Sequence, residues 1–264
     1  GVGTMADQPF TYNVTKALTL NLFTKEGYTF VGWSTEIGGA KVYVDGQEVS
    51  NLTSVHNGIY NLYAVWTANT YTVSFDANGG TGEMLPQSFT YDVTQALTLN
   101  SFTKEGYLFA NWKLNTTTYI DGEEVSNLAP SGSVTLVAEW TPISYKVAFN
   151  SNGGTGTMAA QSFTYDTGQT LTLNNFTKEG YSFAGWATEV GGNKVYNNGQ
   201  EVINLANVNN ATFNLYAVWT PNTYTVSFNA NGGQNEMLPQ SFTYGIAQAL
   251  TANGFAKTGY RFTG

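Results

Sequence analysis

Cysteine is absent from this chain of 264 residues, histidine occurs once, and only 11% of the residues are charged. Without cysteine there is no disulfide framework, no thiolate metal site and no cysteine nucleophile. Export is not excluded, because surface arrays fold without disulfides. The single histidine, His56, sits in a Thr-Ser-Val-His-Asn loop, and a lone loop histidine is ordinarily a solvated residue. Serine nucleophiles need a base, and none recurs. There is no G-x-S-x-G, no phosphate-binding G-x-x-x-x-G-K-[ST] and no H-E-x-x-H. The net charge is −8 and the 10 basic residues are scattered, which argues against nucleic acid, whose phosphates demand clustered Lys and Arg. No run approaches the roughly 18 consecutive apolar residues of a spanning helix, so no membrane insertion is expected within this segment.

Aromatic residues reach 15% and hydrophobic residues 42%, a composition far from the disordered class. Their placement is periodic. Gly27, Gly106, Gly180 and Gly259 each precede a tyrosine in a Thr-Lys-Glu-Gly-Tyr block or its variant, and lie 79, 74 and 79 residues apart. All six tryptophans follow the same phase: Trp33, Trp112 and Trp186 after the Gly-Tyr step, and Trp66, Trp140 and Trp219 in Ala-Val-Trp or Ala-Glu-Trp runs. Self-similarity at a fixed period indicates an array of small units. The boundaries read from it are 1–70, lacking a first strand, then 71–143, 144–222, and 223–264, the N-terminal part of a fourth copy. Both ends fall inside a repeat, so the chain reads as a window on a longer array. Repeats 1 and 3 share a Gly-Gly segment after their tryptophan that repeat 2 lacks, which suggests duplication of a two-repeat block.

Within a repeat, Tyr71, Val73 and Phe75 alternate with Thr72 and Ser74, as a strand with one buried and one wet face requires. The Asn78-Gly79-Gly80 step predicts a hairpin with a loop of about six to eight residues carrying Met84, returning in one alternating run from Gln87 to Leu99. Gly106 permits a sharp turn, and Trp112, out of parity with Tyr107 and Phe109, predicts a bulge or a change of face. Asp45-Gly46, Asp121-Gly122 and Asn198-Gly199 predict type I′ hairpin turns, and Val125-x-x-Leu128 allows one helical turn. The run Leu62–Trp66, apolar on both faces, predicts a central strand. Linkers of about four residues, at 67–71, 141–145 and 220–224, predict a mainly β tandem array forming an elongated rod. In units this small the aromatics carry the core.

The order Y-T-V-S-F-x-x-N-G-G, G-Y-x-F-x-G-W, turn, L-Y-A-V-W-T-x-N-x-Y resembles the internalin-type B repeat, also called the Listeria-Bacteroides repeat, over essentially the whole chain. The resemblance implies small β-grasp-like modules repeated in tandem in surface proteins, between a ligand-binding region and a wall or membrane anchor. It brings no catalytic residues. Asn111-Trp112 in place of Gly-Trp, and the missing Gly-Gly segment of repeat 2, depart from the pattern.

The expected role is therefore a non-enzymatic, extracellular, cell-surface structural array acting as stalk, spacer or fibre-forming subunit, with no cofactor, metal or catalytic site. The landmark residues Gly27, Trp33, Trp66, Gly106, Trp112, Trp140, Gly180, Trp186, Trp219 and Gly259 are expected to be structural. The alternative is a glycan- or cell-wall-binding adhesin module in which exposed Tyr and Trp form stacking platforms for surface glycans. Exposure of Trp33, Trp112 and Trp186 discriminates the two. Asp76-Ala77-Asn78 and Asp121-Gly122-Glu123-Glu124 carry calcium-type oxygen ligands, yet both become Asn-containing turns in other copies. The Lys-Glu pair before each Gly-Tyr step reads as a solvated turn flank, and Lys146 as an outward strand position rather than an isopeptide donor. Sequons at Asn13, Asn51, Asn115, Asn175 and Asn210 are no more than the composition supplies. The expected partners are neighbouring repeats or like chains. Repeat 1 lacks the strand that repeat 4 supplies at Tyr224–Asn231, so head-to-tail strand donation is one expectation.

Overall fold

Alternation of apolar and polar residues makes each repeat a set of strands. Repeat 1 contains β1 (Lys16–Ala17), β2 (Tyr28–Ser34), β3 (Glu48–Val49) and β4 (Tyr63–Ala68). Repeat 2 contains β5 (Thr70–Asp76), β6 (Gln87–Thr90), β7 (Gln95–Ala96), β8 (Tyr107–Leu114), β9 (Thr117–Tyr119), β10 (Glu124–Val125) and β11 (Gly132–Pro142). Repeat 3 contains β12 (Ser144–Asn150), β13 (Gln161–Thr164), β14 (Gln169–Thr170), β15 (Tyr181–Ala187), β16 (Glu201–Val202) and β17 (Thr212–Pro221), and β18 (Thr223–Val226) and β19 (Gln240–Thr243) follow. The computed structural model describes residues 1–264, which divide into two units, 1–141 and 142–264. The fold is mainly β and holds no helix, hence none long and apolar enough to cross a membrane.

The sheet of repeat 2 has the order β6-β5-β11-β8-β9, and that of repeat 3 the order β13-β12-β17-β15. First and last strands run parallel at the centre, Val73 beside Val134 and Val147 beside Phe213. Tyr71, Val73, Tyr145 and Val147 are at most 1% exposed, while Thr72 and Ser74 stay partly open. The last strand is central in repeats 2 and 3, where Leu136, Ala138, Leu215 and Ala217 are wholly buried, whereas in repeat 1 β4, which holds most of the run Leu62–Trp66 expected to be central, pairs with β2 alone. At the places equivalent to the bulge expected before Trp112, the register shifts between Phe30 and Gly32 in repeat 1 and between Phe183 and Gly185 in repeat 3. The shift turns Trp33 and Trp186 inward.

Several expectations are corrected. The run Gln87–Leu99 is not one strand: the chain turns at Tyr91-Asp92, where Asp92 has φ +60°. β7 then leaves the sheet to pair with β10, as β1 pairs with β3 and β14 with β16. The loop between β5 and β6, 77–86, is longer than expected because it detours to bridge Thr81 to Thr103. The turns at Asp45-Gly46, Asp121-Gly122 and Asn198-Gly199 are not type I′. Only their glycines have positive φ (+65°, +72° and +68°), the sign pattern of type II, and they close no hairpin because β3, β10 and β16 pair elsewhere. Val125-x-x-Leu128 is not helical. In repeat 2, where the Gly-Gly segment is missing, Asn115-Thr116 forms a tight turn that lets β9 pair fully with β8.

Aromatic rings fill the core. Trp112 is 0% exposed, with Phe75 and Phe109 both 4.9 Å away and Phe102 at 6.1 Å. Trp186 repeats this against Phe149, Phe183 and Phe176. The indole N–H groups of Trp33, Trp112 and Trp186 are buried without an acceptor, so these side chains act as apolar mass enclosed by aromatic rings. Trp140 and Trp219 are different. Their Nε1 atoms donate to Ala77 O at 2.8 Å and Ser151 O at 2.9 Å, and a Cβ at Gly80 or Gly154 would meet their Cζ2 at 2.8 or 2.7 Å. The second glycine of Asn-Gly-Gly is therefore the seat of an indole.

Urea titrations followed by far-UV circular dichroism should separate the two tryptophan classes. Trp186→Ala removes a core ring and should destabilise by about 3–5 kcal/mol. Trp219→Phe keeps a ring but strands Ser151 O, and should cost about 0.5–1.5 kcal/mol. Equal losses would contradict this assignment.

Candidate functional site: the repeat junction

The residues that recur most faithfully converge where one repeat meets the next inside each unit. In 1–141 the turn Lys25-Glu26-Gly27-Tyr28 is closed by Tyr28 N donating to Lys25 O at 3.1 Å, with Gly27 at φ +73°. Gly106, Gly180 and Gly259 adopt φ of +74°, +73° and +79°, a region open to glycine at little cost. Gly27 O accepts from Asn69 N at 2.8 Å, and Asn69 O accepts from Tyr91 N at 2.9 Å. The Asn69 side chain bonds both sides, accepting from Thr29 Oγ1 at 2.6 Å and donating to Pro130 O at 3.0 Å. The linker is thus hydrogen-bonded into both repeats.

Tyr91 lies flat on Gly27, and a Cβ at Gly27 would overlap Cγ, Cδ1 and Cε1 of its ring. Tyr28 meets Tyr91 edge-on, with centroids 5.9 Å apart and planes at 73°, the geometry favoured by ring quadrupoles. Lys25 Nζ stands 3.4 Å from the Tyr28 centroid, a cation–π contact. Lys104, Lys178 and Lys257 stand 4.6, 4.5 and 4.8 Å from Tyr107, Tyr181 and Tyr260. The lysine of each Lys-Glu pair thus caps its tyrosine. The Tyr28 hydroxyl donates to Asp92 Oδ2 at 2.7 Å, and Asn127 Nδ2 donates to Asp92 Oδ1 at 2.7 Å. These two bonds hold the Asp92 carboxyl below the usual carboxylate range, and the hydrogen bond to Asp92 pushes the Tyr28 phenol up.

The unit 142–264 repeats the arrangement. Asn222 N donates to Gly180 O and Tyr244 N to Asn222 O, both at 2.8 Å, and Ser182 Oγ donates to Asn222 Oδ1 at 2.6 Å. Tyr244 covers Gly180 and meets Tyr181 edge-on at 5.7 Å and 76°. Ser182 stands for Thr29, and Gly245 occupies the position of Asp92, with its Cβ direction 3.4 Å from the Tyr181 hydroxyl. No carboxylate stands there. Beside Gly259 a Cβ would meet nothing within 4 Å, so that glycine answers only to its backbone.

The other landmarks are accounted for by packing. Trp33, Trp112 and Trp186 are 5%, 0% and 0% exposed, which removes them from any glycan-stacking surface. Asp76 Oδ1 accepts from Asn78 N at 2.8 Å, and Asn150 and Asn229 do the same two residues on, so the calcium-like triplet is a side-chain turn. Asn13 and Asn51, two of the sequon asparagines, bond one another. Lys146 is an exposed strand residue. Sequence reasoning missed Asn69, Asn222, Tyr91 and Tyr244. Their signal is the recurring Phe-Thr-Tyr at 89–91 and 242–244 and the Trp-Thr-x-Asn at 66–69 and 219–222, which carries no chemistry until the partner repeat is in place.

A model of the family described as the Listeria-Bacteroides repeat domain matches residues 1–65, 71–139, 145–218 and 224–264. Two Evansella cellulosilytica proteins, named "Putative Gly-rich membrane protein" and "Putative membrane protein", are 30% identical over 79% of this chain and 27% identical over 91% of it. Internalin H of Listeria monocytogenes is 34% identical over 45% of the chain. The chain spans 23%, 34% and 20% of the lengths of these three relatives.

Two outcomes test the junction. Gly27→Ala should lose about 1–2 kcal/mol to left-handed backbone strain and a further 1–3 kcal/mol, roughly, to overpacking against Tyr91. Introducing Tyr91→Ala beside it should abolish the second loss, and Gly259→Ala should show only the first, each read by urea titration. The pH dependence follows from the Tyr28–Asp92 bond. A depressed carboxyl contributes above its ordinary range and is lost as pH falls through the lowered value. A raised phenol contributes below its ordinary value near 10 and is lost as pH rises through the raised one. The protection factor of the amides around Tyr91, the intrinsic exchange rate at each pH over the observed one, should therefore be highest between those limits, and Asp92→Asn should flatten the acid limb.

Proposed function

The chain belongs to the Listeria-Bacteroides repeat domain family, and from that premise we propose that it is a non-enzymatic structural segment of an extracellular cell-surface protein, serving as stalk or spacer. The observation that carries this reading is the junction. Trp33, Trp112 and Trp186 recur in register and go into the core of each repeat, and Gly27 and Gly180 recur as the seats for the next one. Copies of one unit, a tyrosine-on-glycine seat within 1–141 and another within 142–264, and a hydrogen-bonded linker at each, form a connector in which one repeat fixes the next inside each unit. The same reading takes the repeat as β-grasp-like, on the strength of the central parallel pair in repeats 2 and 3. Relatives named as membrane proteins and as an internalin, each far longer than this chain, support a place at the cell surface.

The competing reading, a glycan- or wall-binding adhesin module, keeps only tyrosines for its platform, since the discriminating tryptophans are inside. Tyr12 at 60% and Tyr260 at 74% exposed are its best candidates. Purified chain mixed with cell-wall polysaccharide should stay in the supernatant, with tryptophan emission unchanged. Retention that Tyr12→Ala or Tyr260→Ala removes would replace the spacer reading with the adhesin one.

A further inference from the structure

Repeats 2 and 3 each have chain on both sides, so tension carried along the array enters a repeat through one linker and leaves through the next. It enters repeat 2 at Thr70, the first residue of β5, and leaves at Pro142, the last of β11. These two strands pair in parallel, from Tyr71 beside Gly132 to Asp76 beside Val137. In repeat 3 the load passes from Ser144, where β12 begins, to Pro221, where β17 ends, and the parallel pairing runs from Lys146 beside Thr212 to Asn150 beside Tyr216. Parallel strands put entry and exit at opposite ends of one ladder. The two strands are therefore pulled past each other along their length, and the evenly spaced hydrogen bonds between them are strained together.

Neither loaded strand is a sheet edge that could be peeled away. β5 is bordered by β6 and β11 by β8, and likewise β12 by β13 and β17 by β15. Slippage is blocked by the side chains. A shift of one residue would turn Thr72 and Ser74 into the core and Val73 out of it, because neighbouring residues face opposite sides. The next register with matching faces lies two residues on, about 6.6 Å away, and reaching it breaks the whole ladder. At the loaded end Tyr71 and Tyr145 are buried and stacked on Phe89 and Phe163, with centroids 5.4 and 5.5 Å apart. Their hydroxyls accept from Leu128 N at 3.4 Å and from Leu205 N at 3.1 Å. Each tyrosine must leave this slot before its strand can move.

We propose that the parallel pair of β5 with β11, and its counterpart of β12 with β17, is a shear clamp that makes the repeat a bearer of tensile load. The clamp deepens the stalk reading, and rests on it only for the source of the tension. Load runs through the first and last strands alone. The segments between them, including the small pair of β7 with β10, lie off that path and are loaded only after the clamp has given way.

Because the chain has no cysteine, thiol-coupled handles can grip one repeat at chosen points. In the full 264-residue chain, Thr70→Cys with Thr141→Cys sets the handles at opposite ends of the ladder. Thr70→Cys with Ser133→Cys sets both at the same end, where pulling opens the ladder pair by pair. All three residues are exposed. In single-molecule pulling at one loading rate, the first geometry should rupture at a force at least about twofold above the second, since six facing pairs yield together in one and singly in the other. The first rupture should be one step that releases roughly 200–230 Å, the extended length of 70–141 less its folded span. A smaller force ratio overturns the proposal, as does rupture of the first geometry in several short steps. Either result leaves the spacer reading standing, because that reading is decided by retention on cell-wall polysaccharide.

Discussion

Each repeat depends on one contact, the parallel pairing of its first strand with its last. The two are about sixty residues apart in sequence, so the closure entropy of the whole repeat is met at that one ladder. Everything between is held because the ladder forms. The β6 edge pairs with the first strand, the bulged tryptophan strand pairs with the last, and the indole of the last strand reaches across to the carbonyl after the first. Repeat 1 illustrates the dependence. Its β4 starts at Tyr63, whereas β11 and β17 start at Gly132 and Thr212, and its buried core reduces to Leu18, Trp33 and Val49.

The junction is built from what the closed repeat leaves at its end. The Gly-Tyr turn stands next to the exit of the last strand, so a linker as short as Asn69 is hydrogen-bonded on both sides before the next repeat begins. A tyrosine from that repeat then fills the space a Cβ would take on the glycine. The two junctions share this seat, and Asp92 stands in one where Gly245 stands in the other. One is charge-assisted through a phenol, and the other rests on ring and backbone contacts, the Ser182–Asn222 bond and the Lys178 cap. A charge-assisted bond is stronger and titrates, so copies of one unit need not be joined with equal strength.

Within the repeat, much was legible. Period-two alternation assigned the faces of β5 and β12, broken parity at Trp112 pointed to the bulge seen at the equivalent places before Trp33 and Trp186, and double apolarity marked a last strand that is central in repeats 2 and 3. These are local properties, and they persisted. The Gln87–Leu99 run failed because alternation cannot reveal that a chain leaves one sheet for another, and a positive φ at Asp92, an aspartate rather than a glycine, gives little warning. The Asp-Gly and Asn-Gly pairs were misassigned for the same reason: a turn's type depends on which strands it delivers, and here those strands pair with distant segments.

The sequence by itself determined the repeat, its landmarks, its mainly β character and the absence of a thiol framework, because period and composition survive any arrangement of the chain. Tertiary structure alone decided why the landmark glycines are glycines. Gly27 and Gly180 leave room for a ring more than sixty residues away, and Gly80 and Gly154 leave room for an indole at a similar remove. It alone also separated the tryptophans into unpartnered core mass and hydrogen-bonded braces. Such distinctions depend on which atoms meet across the fold, and contacts at that sequence separation leave no periodic trace.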